Sequence, residues 1–562
     1  MPSELTAPAQ RAQDMHFVMT CGWSTLRERL PLLWPTPPGT PPSPKQHYRS
    51  HYVYRGDADL NDPVTWEQLS DFDLVLRLVD FTGLRPVLAQ RLGWVSARGY
   101  APFDPISFFL LNGWQLTNHW TRADALVHVR DKRYADYAAR FGFAHGVYPT
   151  EGGVRYFLTA LGTHSEGATI TVDEAQSLQI GWQRLNDLLV QSVALLRTAG
   201  LLSPAAWSQA LICPDGMLHA AASHMNCTAV TDTCYQPTSR QAPRPCPAKA
   251  KEHQGCACDT TACVSVCRQA TPRDPDARTI YYAGSNHPAD SPNQPTDGTG
   301  SPSRGKLVYG YRSLPLELCD TTRRFSLILS DDFRPANERE ELPIAAQLLQ
   351  LATLYPTLHV DTVAGDAGFG YDLILHLVHA KLRARRVIDL RAHETDLDKR
   401  RWPTRGYDDK GRPLCPFGYA FTANGWDAQR LRYKWVCGQI CRHGGSPKVA
   451  LPEVIYPPPE CAYQGTHPAH GEVRNIAECF ADGSTRLVRD IPVGTPTWKE
   501  YYHRARNAVE SRNAVLQGWG FKRLPVHGTP RGKALVFQAD VWLNLTTLAR
   551  LIREATRAAR RI

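Results

Sequence analysis

Three acidic residues, far apart along the chain, stand where carboxylates often take part in chemistry. Asp215 ends the short apolar run "LICPD", Asp366 ends the run "VDTVAGD", and Glu510 lies within the basic helical stretch "YYHRARNAVESRNAV". Carboxylates gathered at one point repel one another unless divalent cations share them, and oxygen ligands suit Mg²⁺ or Mn²⁺. Two such ions can activate an attacking water or 3′-hydroxyl and stabilise the leaving oxygen of a phosphodiester. These residue types therefore predict a two-metal phosphoryl-transfer site, provided that the fold brings them together.

The basic side chains around Glu510 predict contacts with an anion. Arg506 precedes Glu510 by one helical turn on the same face, so it could hold a DNA phosphate. The simpler alternative is that Arg506 only pairs with Glu510, a contact worth roughly a few tenths of a kcal/mol on an exposed helix. We expect the other DNA-contacting cations of this stretch to be His503, Arg512 and Lys522.

The charge of the whole chain favours the same kind of ligand. The formal net charge is +10 at pH 7, and Lys and Arg are concentrated in residues 381–386, in residues 399–405 and in the C-terminal tail. Clustered positive charge suits a polyanion, because each neutralised phosphate releases a condensed counterion. No run of about 18 apolar residues is present, so no membrane span is expected. The N-terminus lacks an apolar secretory signal, so we expect a cytoplasmic protein.

The order of predicted elements indicates how one sheet could position the three acids. Short apolar and β-branched runs predict strands, and longer periodic stretches predict helices. In chain order these are strands 208–216, 306–316 and 323–332, helix 338–355, strand 358–368, helix 371–381 and strand 385–391. This βββαβαβ order, completed by the helix that carries Glu510, is that of a ribonuclease-H-like α/β core with a mixed sheet. Asp215 would end the first strand and Asp366 the fourth, with Glu510 beside them.

Composition and periodicity divide the 562 residues into several parts. A capping box formed by Thr171 and Glu174 predicts a long helix that runs to Gly200 and closes an all-helical region. The core is expected to contain a Cys-rich insert, 217–305. The expected divisions are an N-terminal segment with a Pro-rich linker (1–45), a helical DNA-binding and dimerisation domain (46–200), the first part of the core (201–394), a β-rich insertion (395–495), and the last part of the core with a C-terminal helix (496–562).

Four segments in this order, "PDGMLHAAAS", "LILSDDFRPANERE", "GDAGFGYD" and "RNAVESRN", resemble the DDE transposases of bacterial insertion sequences. The similarity is greatest to the group with a β insertion between the second acid and the Glu, and it covers roughly residues 100–550. It implies that Asp215, Asp366 and Glu510 form a catalytic triad with two Mg²⁺ or Mn²⁺ ions. It also implies a nucleoid-associated enzyme that binds the inverted ends of its element as double-stranded DNA, as a homodimer.

Several alternatives stay open at this point. Asp361, in the same predicted strand as Asp366, is the main alternative for the second acid, and Asp331 and Asp332 are further ones. A metal-dependent nuclease of the same fold would need the same acids but would not join strands. A catalytically silent DNA-binding protein could retain the fold without the reaction.

Cysteines are concentrated in two segments and indicate structural metal. Four thiolates can hold Zn²⁺ and so organise a segment with little apolar core, although reduced, unliganded thiols are the alternative. Neither set is expected to be catalytic, because four protein ligands close the metal. The first set is Cys256, Cys258, Cys263 and Cys267, and the second, more dispersed, is Cys415, Cys437, Cys441 and Cys461.

Overall fold

The helices and strands are taken from a computed structural model. It describes residues 23–559 except for segments 57–62, 172–178, 228–232, 235–243, 246–269, 283–305, 321–324, 390–407, 409–411, 428–431, 449–470, 477–490 and 492–495 and single positions 46, 95, 165, 184, 224, 273, 416 and 472. The α-helices are Trp23–Glu28 (α1), Pro63–Gln68 (α2), Asp71–Leu78 (α3), Leu84–Arg91 (α4), Pro105–Thr117 (α5), Arg122–His128 (α6), Ala135–Arg140 (α7), Glu151–Thr163 (α8), Asn186–Thr198 (α9), Pro204–Ser208 (α10), Glu341–Leu354 (α11), Asp372–His376 (α12), Pro496–Gly518 (α13) and Thr529–Ala559 (α14).

The strands alternate with these helices and form several sheets. In chain order they are Leu32–Leu33 (β1), Val79–Asp80 (β2), Glu166–Thr171 (β3), Gln179–Gln183 (β4), Ala210–Pro214 (β5), Met217–Ala220 (β6), Met225–Cys227 (β7), Thr233–Cys234 (β8), Arg244–Pro245 (β9), Ala270–Pro272 (β10), Arg278–Tyr282 (β11), Lys306–Ser313 (β12), Leu316–Asp320 (β13), Phe325–Ser330 (β14), Phe333–Pro335 (β15), Val360–Gly365 (β16), Arg385–Ile388 (β17), Thr422–Asp427 (β18), Arg432–Val436 (β19) and Val473–Ile476 (β20). Among the helices described, none is both long and apolar enough to cross a membrane.

A five-stranded mixed sheet lies at the centre, in the order β14-β13-β5-β16-β17. β13 is antiparallel to β14 and to β5, whereas β5, β16 and β17 are parallel. Every residue of β5 is buried, as expected of a strand in the middle of a sheet with both faces covered. Because β5 and β16 are parallel neighbours, the residues that follow them emerge at the same edge. The mixed α/β fold class is confirmed.

The prediction for the second strand of this sheet was wrong. Residues 306–313 do form a strand, β12, but it belongs to a separate four-stranded sheet with β6, β11 and β15. The central position is taken by β13, "LELCD", which begins directly after Pro315. Pro315 has no N–H to donate to a ladder, so it separates the two strands. Residues 316–320 were not predicted as a strand because Glu317, which is buried in the structure, interrupts the apolar run.

The N-terminal region is not entirely helical. The predicted long helix from Thr171 to Gly200 is wrong, because β3 and β4 pair antiparallel and the helix α9 starts only at Asn186. Residues 168–171, "ATIT", contain β-branched side chains that favour strands over helices. β1 and β2 form a second small pair.

The C-terminal helix α14 joins the N-terminal helices to the central sheet. Trp542 of α14 stacks at 5.2 Å between ring centroids on Phe109 of α5, and it lies at the same distance from Phe72 of α3. A Cβ atom at Gly113 of α5 would lie only 1.9 Å from the Trp542 ring, so this close approach requires glycine. One apolar core therefore runs from the N-terminal helices into the sheet.

Within residues 395–495, the described strands agree with a mainly β insertion. β18, β19 and β20 form an antiparallel sheet. Among the described residues of the insertion, Cys415, Tyr419, Phe421 and Trp435 are buried in one apolar cluster.

A buried ion cluster fixes the helix α13 against the rest of the core. Residues Ala505, Val509, Arg512 and Leu516 form its buried stripe. Arg512 donates from Nε to Asp540 Oδ1 at 2.9 Å and from Nη2 to Asp331 Oδ2 at 3.3 Å. Burial and the neighbouring Asp540 carboxylate raise the pKa of Asp331, while Arg512 opposes this. Arg512 therefore has an internal partner on each side, and its predicted role as a DNA contact is wrong.

Replacing Arg512 with Leu should strongly destabilise the protein. The substitution leaves Asp331 and Asp540 buried without their shared cation, and breaking a buried ion pair in this way costs about 3–5 kcal/mol. Chemical denaturation measures the free energy of unfolding. The matched control is Arg504→Leu on the same helix, since Arg504 is partly exposed and pairs with Glu500 at 2.6 Å. We expect a loss below about 1 kcal/mol there, and equal losses in the two variants would contradict the assignment.

Candidate active site

The two predicted aspartates emerge side by side from the central sheet. Asp215 follows β5 and Asp366 follows β16, and these strands are parallel neighbours. Asp366 begins the 3₁₀ turn Ala367–Phe369, where its Oδ1 accepts the Gly368 N–H at 2.8 Å. Asp361 lies five residues earlier, roughly 16 Å along an extended strand, and its carboxylate contacts Arg385. The structure thus places Asp366, and not Asp361, beside Asp215.

A single guanidinium links all three predicted acids. Arg506 Nη1 lies 3.7 Å from Asp215 Oδ1 and 3.5 Å from Asp366 Oδ2. Its Nη2 donates to Glu510 Oε1 at 3.2 Å. The exposed fraction of the side chain rises from 10% in Asp215 through 31% in Asp366 to 61% in Glu510. The cluster therefore opens to solvent on the α13 side.

Asp215 is the most buried of the three acids. Its pKa is raised to about 6, chiefly by burial; Arg506 and the Gly216 N–H lower it, and the Asp366 carboxylate contributes to the rise. Asn513 donates from Nδ2 to Asp215 Oδ2 at 2.6 Å. Sequence reasoning missed Asn513, although it lies one turn after Glu510 and two turns after Arg506, on the same helix face.

Arg506 contacts each of the three acids. In the part of the chain described here, no three His, Cys, Asp or Glu side chains are grouped closely enough to hold a metal ion. The guanidinium supplies the positive charge that keeps the carboxylates from repelling one another. Oxygen ligands of this kind are those that Mg²⁺ and Mn²⁺ prefer, so the donor set fits these ions.

The remaining predicted cations lie outside the cluster. His503 is exposed in the first half of α13, with its ring beside that of Tyr502. Lys522 is exposed in the segment after α13, and its carbonyl accepts the Ala220 N–H at 2.9 Å. Asp331 and Asp332, the other candidate acids, pair instead with Arg512 and Arg334. None of these residues joins the three acids.

A cleft of about 830 Å³ lies on a different face of α13. It is lined in part by Ser326, Arg504, Ser511 and Arg550, and none of the three acids reaches it. Size alone would favour this cleft as the functional site. The cleft also has two carboxylates, Asp71 and Asp320, and several guanidiniums, but Asp71 is paired with Arg553. We favour the acid cluster, because three carboxylates converge there on one guanidinium.

Of the eight cysteines in the two predicted sets, the structure describes three. Cys256, Cys258, Cys263 and Cys267 all fall outside the described residues, as does Cys461. The other three members of the second set, Cys415, Cys437 and Cys441, line one small cavity of about 20 Å³ together with Phe and Tyr side chains. The three thiols share this cavity, but they are not grouped closely enough to hold a metal ion as they lie.

His219 is a further residue whose role the sequence did not reveal. It is fully buried, its Nδ1 bonds the Phe521 carbonyl at 2.8 Å and its Nε2 bonds Ser313 Oγ at 2.8 Å. A carbonyl can only accept, so Nδ1 carries the proton and Nε2 accepts from the hydroxyl. Burial lowers the pKa of His219 to about 4, and Arg512 contributes in the same direction. This neutral histidine ties β6 and β12 to the segment that follows α13.

Comparisons with known proteins identify no relative: no family model, no curated protein and no solved structure matches this chain. Any functional conclusion must therefore rest on the residues and their geometry.

Replacing His219 with Gln should remove one component of the pH dependence of stability. The amide can still donate to Phe521 and accept from Ser313, but it cannot titrate. Because the folded-state pKa lies below the usual 6.5, the unfolded chain binds the proton first as pH falls. The wild type should lose up to about 3 kcal/mol between pH 6.5 and pH 4 through this group.

Urea denaturation above and below pH 6.5 measures this loss. The gap in the free energy of unfolding between wild type and His219→Gln should shrink as pH falls. His527→Gln, at an exposed position, is the control and should remain parallel to the wild type. A constant gap for His219→Gln would show that His219 does not titrate as described.

Proposed function

We propose that this chain is a DDE-type DNA transposase that cuts and joins DNA with divalent metal. The observation that carries the proposal is the convergence of Asp215, Asp366 and Glu510 on Arg506. Three carboxylates and one guanidinium at the open edge of a sheet can hold cations and a phosphate together. The quoted segments that resemble DDE transposases contain these same acids.

The central sheet supports a ribonuclease-H-like core as part of the proposal. Its first three strands are antiparallel neighbours in the order β14-β13-β5, and β16 and β17 continue in parallel on the other side of β5. The helix α13 then packs across the sheet through Val509 and Ala505. This arrangement brings acids from two strands and a late helix to one edge.

In this reading, Asp215, Asp366 and Glu510 would hold two Mg²⁺ or Mn²⁺ ions once Arg506 turns from the carboxylates to a DNA phosphate. The bound ions would supply Lewis acidity to the attacking water or 3′-hydroxyl and to the leaving oxygen. Asn513 would keep Asp215 oriented through its hydrogen bond. Arg506 would then orient the scissile phosphate, because a guanidinium binds phosphate oxygens in a fixed geometry.

The proposed ligand is double-stranded DNA at the inverted ends of the element, followed by target DNA. The net charge of +10 and the exposed cations His503 and Lys522 near α13 support a polyanionic partner. The homodimer remains a proposal that follows from the resemblance. A nuclease without strand transfer and a silent DNA-binding protein become outcomes of the test below.

The Asp366→Asn variant should bind DNA but fail to cut it. We expect loss of cleavage on the order of 10³-fold or more, because the amide removes the charge needed for the metal. The substrate is labelled DNA from the immediate flanks of the gene, with its candidate terminal repeats, in Mg²⁺ or Mn²⁺. The matched control is Asp361→Asn, in the same strand but away from the acid cluster, which should retain cleavage.

The products distinguish the alternatives. Cleavage at the repeat boundary followed by joining to target DNA supports the transposase. Cleavage without joining supports the nuclease. Binding without cutting by the wild type, with either metal, would overturn the catalytic proposal and leave the silent DNA-binding protein.

We also propose that Cys415, Cys437 and Cys441, which line one cavity but are not close enough to hold a metal ion as they lie, would draw together around structural Zn²⁺. Cys437→Ser should then lower the zinc content of purified protein by about one equivalent per chain. Cys319→Ser, at a buried thiol of the central sheet, should not. Mass spectrometric metal analysis gives the difference, which is independent of any zinc elsewhere in the chain. Equal zinc in both variants would contradict this site.

A further inference from the structure

A fourth acidic side chain, Glu340, reaches the edge of the sheet that carries Asp215 and Asp366. It stands at the start of α11, just after β15. Its Oε1 lies 2.9 Å from the point where a Cβ on Gly216 would be, and its Oε2 lies 3.8 Å from the corresponding point on Gly368. Gly216 follows Asp215, and Gly368 donates its N–H to Asp366. The Glu340 carboxylate therefore spans the two turns that present the aspartates.

Glycine at positions 216 and 368 permits the Glu340 carboxylate to approach both turns closely. A Cβ at Gly216 would come closer to Glu340 Oε1 than carbon and oxygen atoms normally approach. At Gly368 the nearest atom to such a Cβ would be Asp366 Oδ1, at 2.8 Å. Glycine at both positions thus keeps the space between Glu340 and Asp366 open.

A buried arginine holds Glu340 in place. Arg312 of β12 donates from Nη1 to Glu340 Oε1 at 2.9 Å and to the Glu338 carbonyl at 3.1 Å. Arg312 is nearly fully buried, and the Glu340 side chain is 24% exposed. This pair gives the edge of the sheet a second guanidinium in addition to Arg506. The edge then has four carboxylates and two guanidiniums, so acid remains in excess.

The position of Glu340 at the start of α11 does not explain its orientation. Its side chain makes no capping hydrogen bond to the helix. One carboxylate oxygen binds Arg312, and in the described part of the chain no hydrogen bond reaches the other, Oε2. Burial together with Asp366 and Asp215 raises the pKa of Glu340, with Arg312 acting in opposition. Oε2 is therefore available on the side that faces Gly368 and Asp366.

We infer that Glu340 is a fourth ligand of the divalent cations, held toward them by Arg312. The inference rests on the proposed function and extends it. Asp366 has two oxygens with different surroundings, since Oδ2 faces Arg506 and Oδ1 faces Gly368. Glu340 would hold a cation together with Asp366 and Asp215, and Glu510 would complete the set of carboxylates. Each ion would then be held by more than one carboxylate, as hard cations require.

Glu340→Gln tests this role, because the amide oxygen can still accept from Arg312 while the charge is lost. The matched control is Glu338→Gln, two residues away, whose exposed carboxylate lies 3.7 Å from Arg334 and not at the cluster. Mn²⁺ binding to the full-length, DNA-free protein is measured by the electron paramagnetic resonance signal of the free ion. We expect Glu340→Gln to weaken Mn²⁺ binding about 10-fold or more, and Glu338→Gln to leave it unchanged.

The dependence of DNA cleavage on Mn²⁺ concentration is a second test of the role of Glu340. Half-maximal cleavage by Glu340→Gln should require a higher Mn²⁺ concentration, an effect that a purely structural role would not produce in a stably folded variant. Glu340→Asp keeps the charge on a shorter side chain and should fall between wild type and Glu340→Gln. If the Gln variant does not fold, Glu340→Asp replaces it in both measurements.

The outcomes separate the two proposals. If Asp366→Asn loses Mn²⁺ while Glu340→Gln binds and uses it as the wild type does, the inference about Glu340 is overturned and the proposed function stands. If the wild type binds Mn²⁺ and Glu340→Gln does not, the inference holds whether or not DNA is joined. A wild type without Mn²⁺ binding and without cleavage overturns both.

Discussion

The arrangement of the site depends on how the helix α13 is fixed over the sheet, and that is decided by the burial of Arg512 between Asp331 and Asp540. Buried charges are tolerated only with good partners, so this cluster permits one rotation of the helix. The apolar residues Ala505 and Val509 complete the buried stripe but do not by themselves prevent rotation. Arg506 and Glu510 lie on an adjacent stripe, so their positions follow from the same rotation.

Arg506 compensates the negative charge of three carboxylates that the fold brings to one edge of the sheet. Parallel pairing of β5 and β16 brings Asp215 and Asp366 to one edge, and α13 adds Glu510. Without a cation these carboxylates would repel one another, and Asp215 already shows the cost of burial in its raised pKa. A guanidinium that contacts all three compensates their negative charge. The same group is suited to phosphate, which links this compensation to the proposed chemistry.

The separate sheet around β12 contributes to the site from outside the central core. It carries Arg312, which holds Glu340 across the turns of both aspartates. Its neighbouring strand β6 starts just after Asp215, and His219 in that strand ties it to the segment behind α13. The two sheets and the late helix therefore meet at one point, although they come from segments hundreds of residues apart.

The sequence by itself determined the local features: apolar runs that end in Asp215 and Asp366, the helix that carries Glu510, and the mixed α/β class. These depend on neighbours in the chain, so periodicity and residue type reveal them. Only the tertiary structure decided which arginine is buried, because Arg506 and Arg512 lie on the same basic helix and the partners of Arg512 include Asp331, 181 residues away. It likewise decided the position of Glu317 within a buried strand and the approach of Glu340 to the aspartates. Those outcomes depend on contacts between distant segments. A charged side chain can be buried only where the assembled core gives it a partner, because unpaired burial is costly.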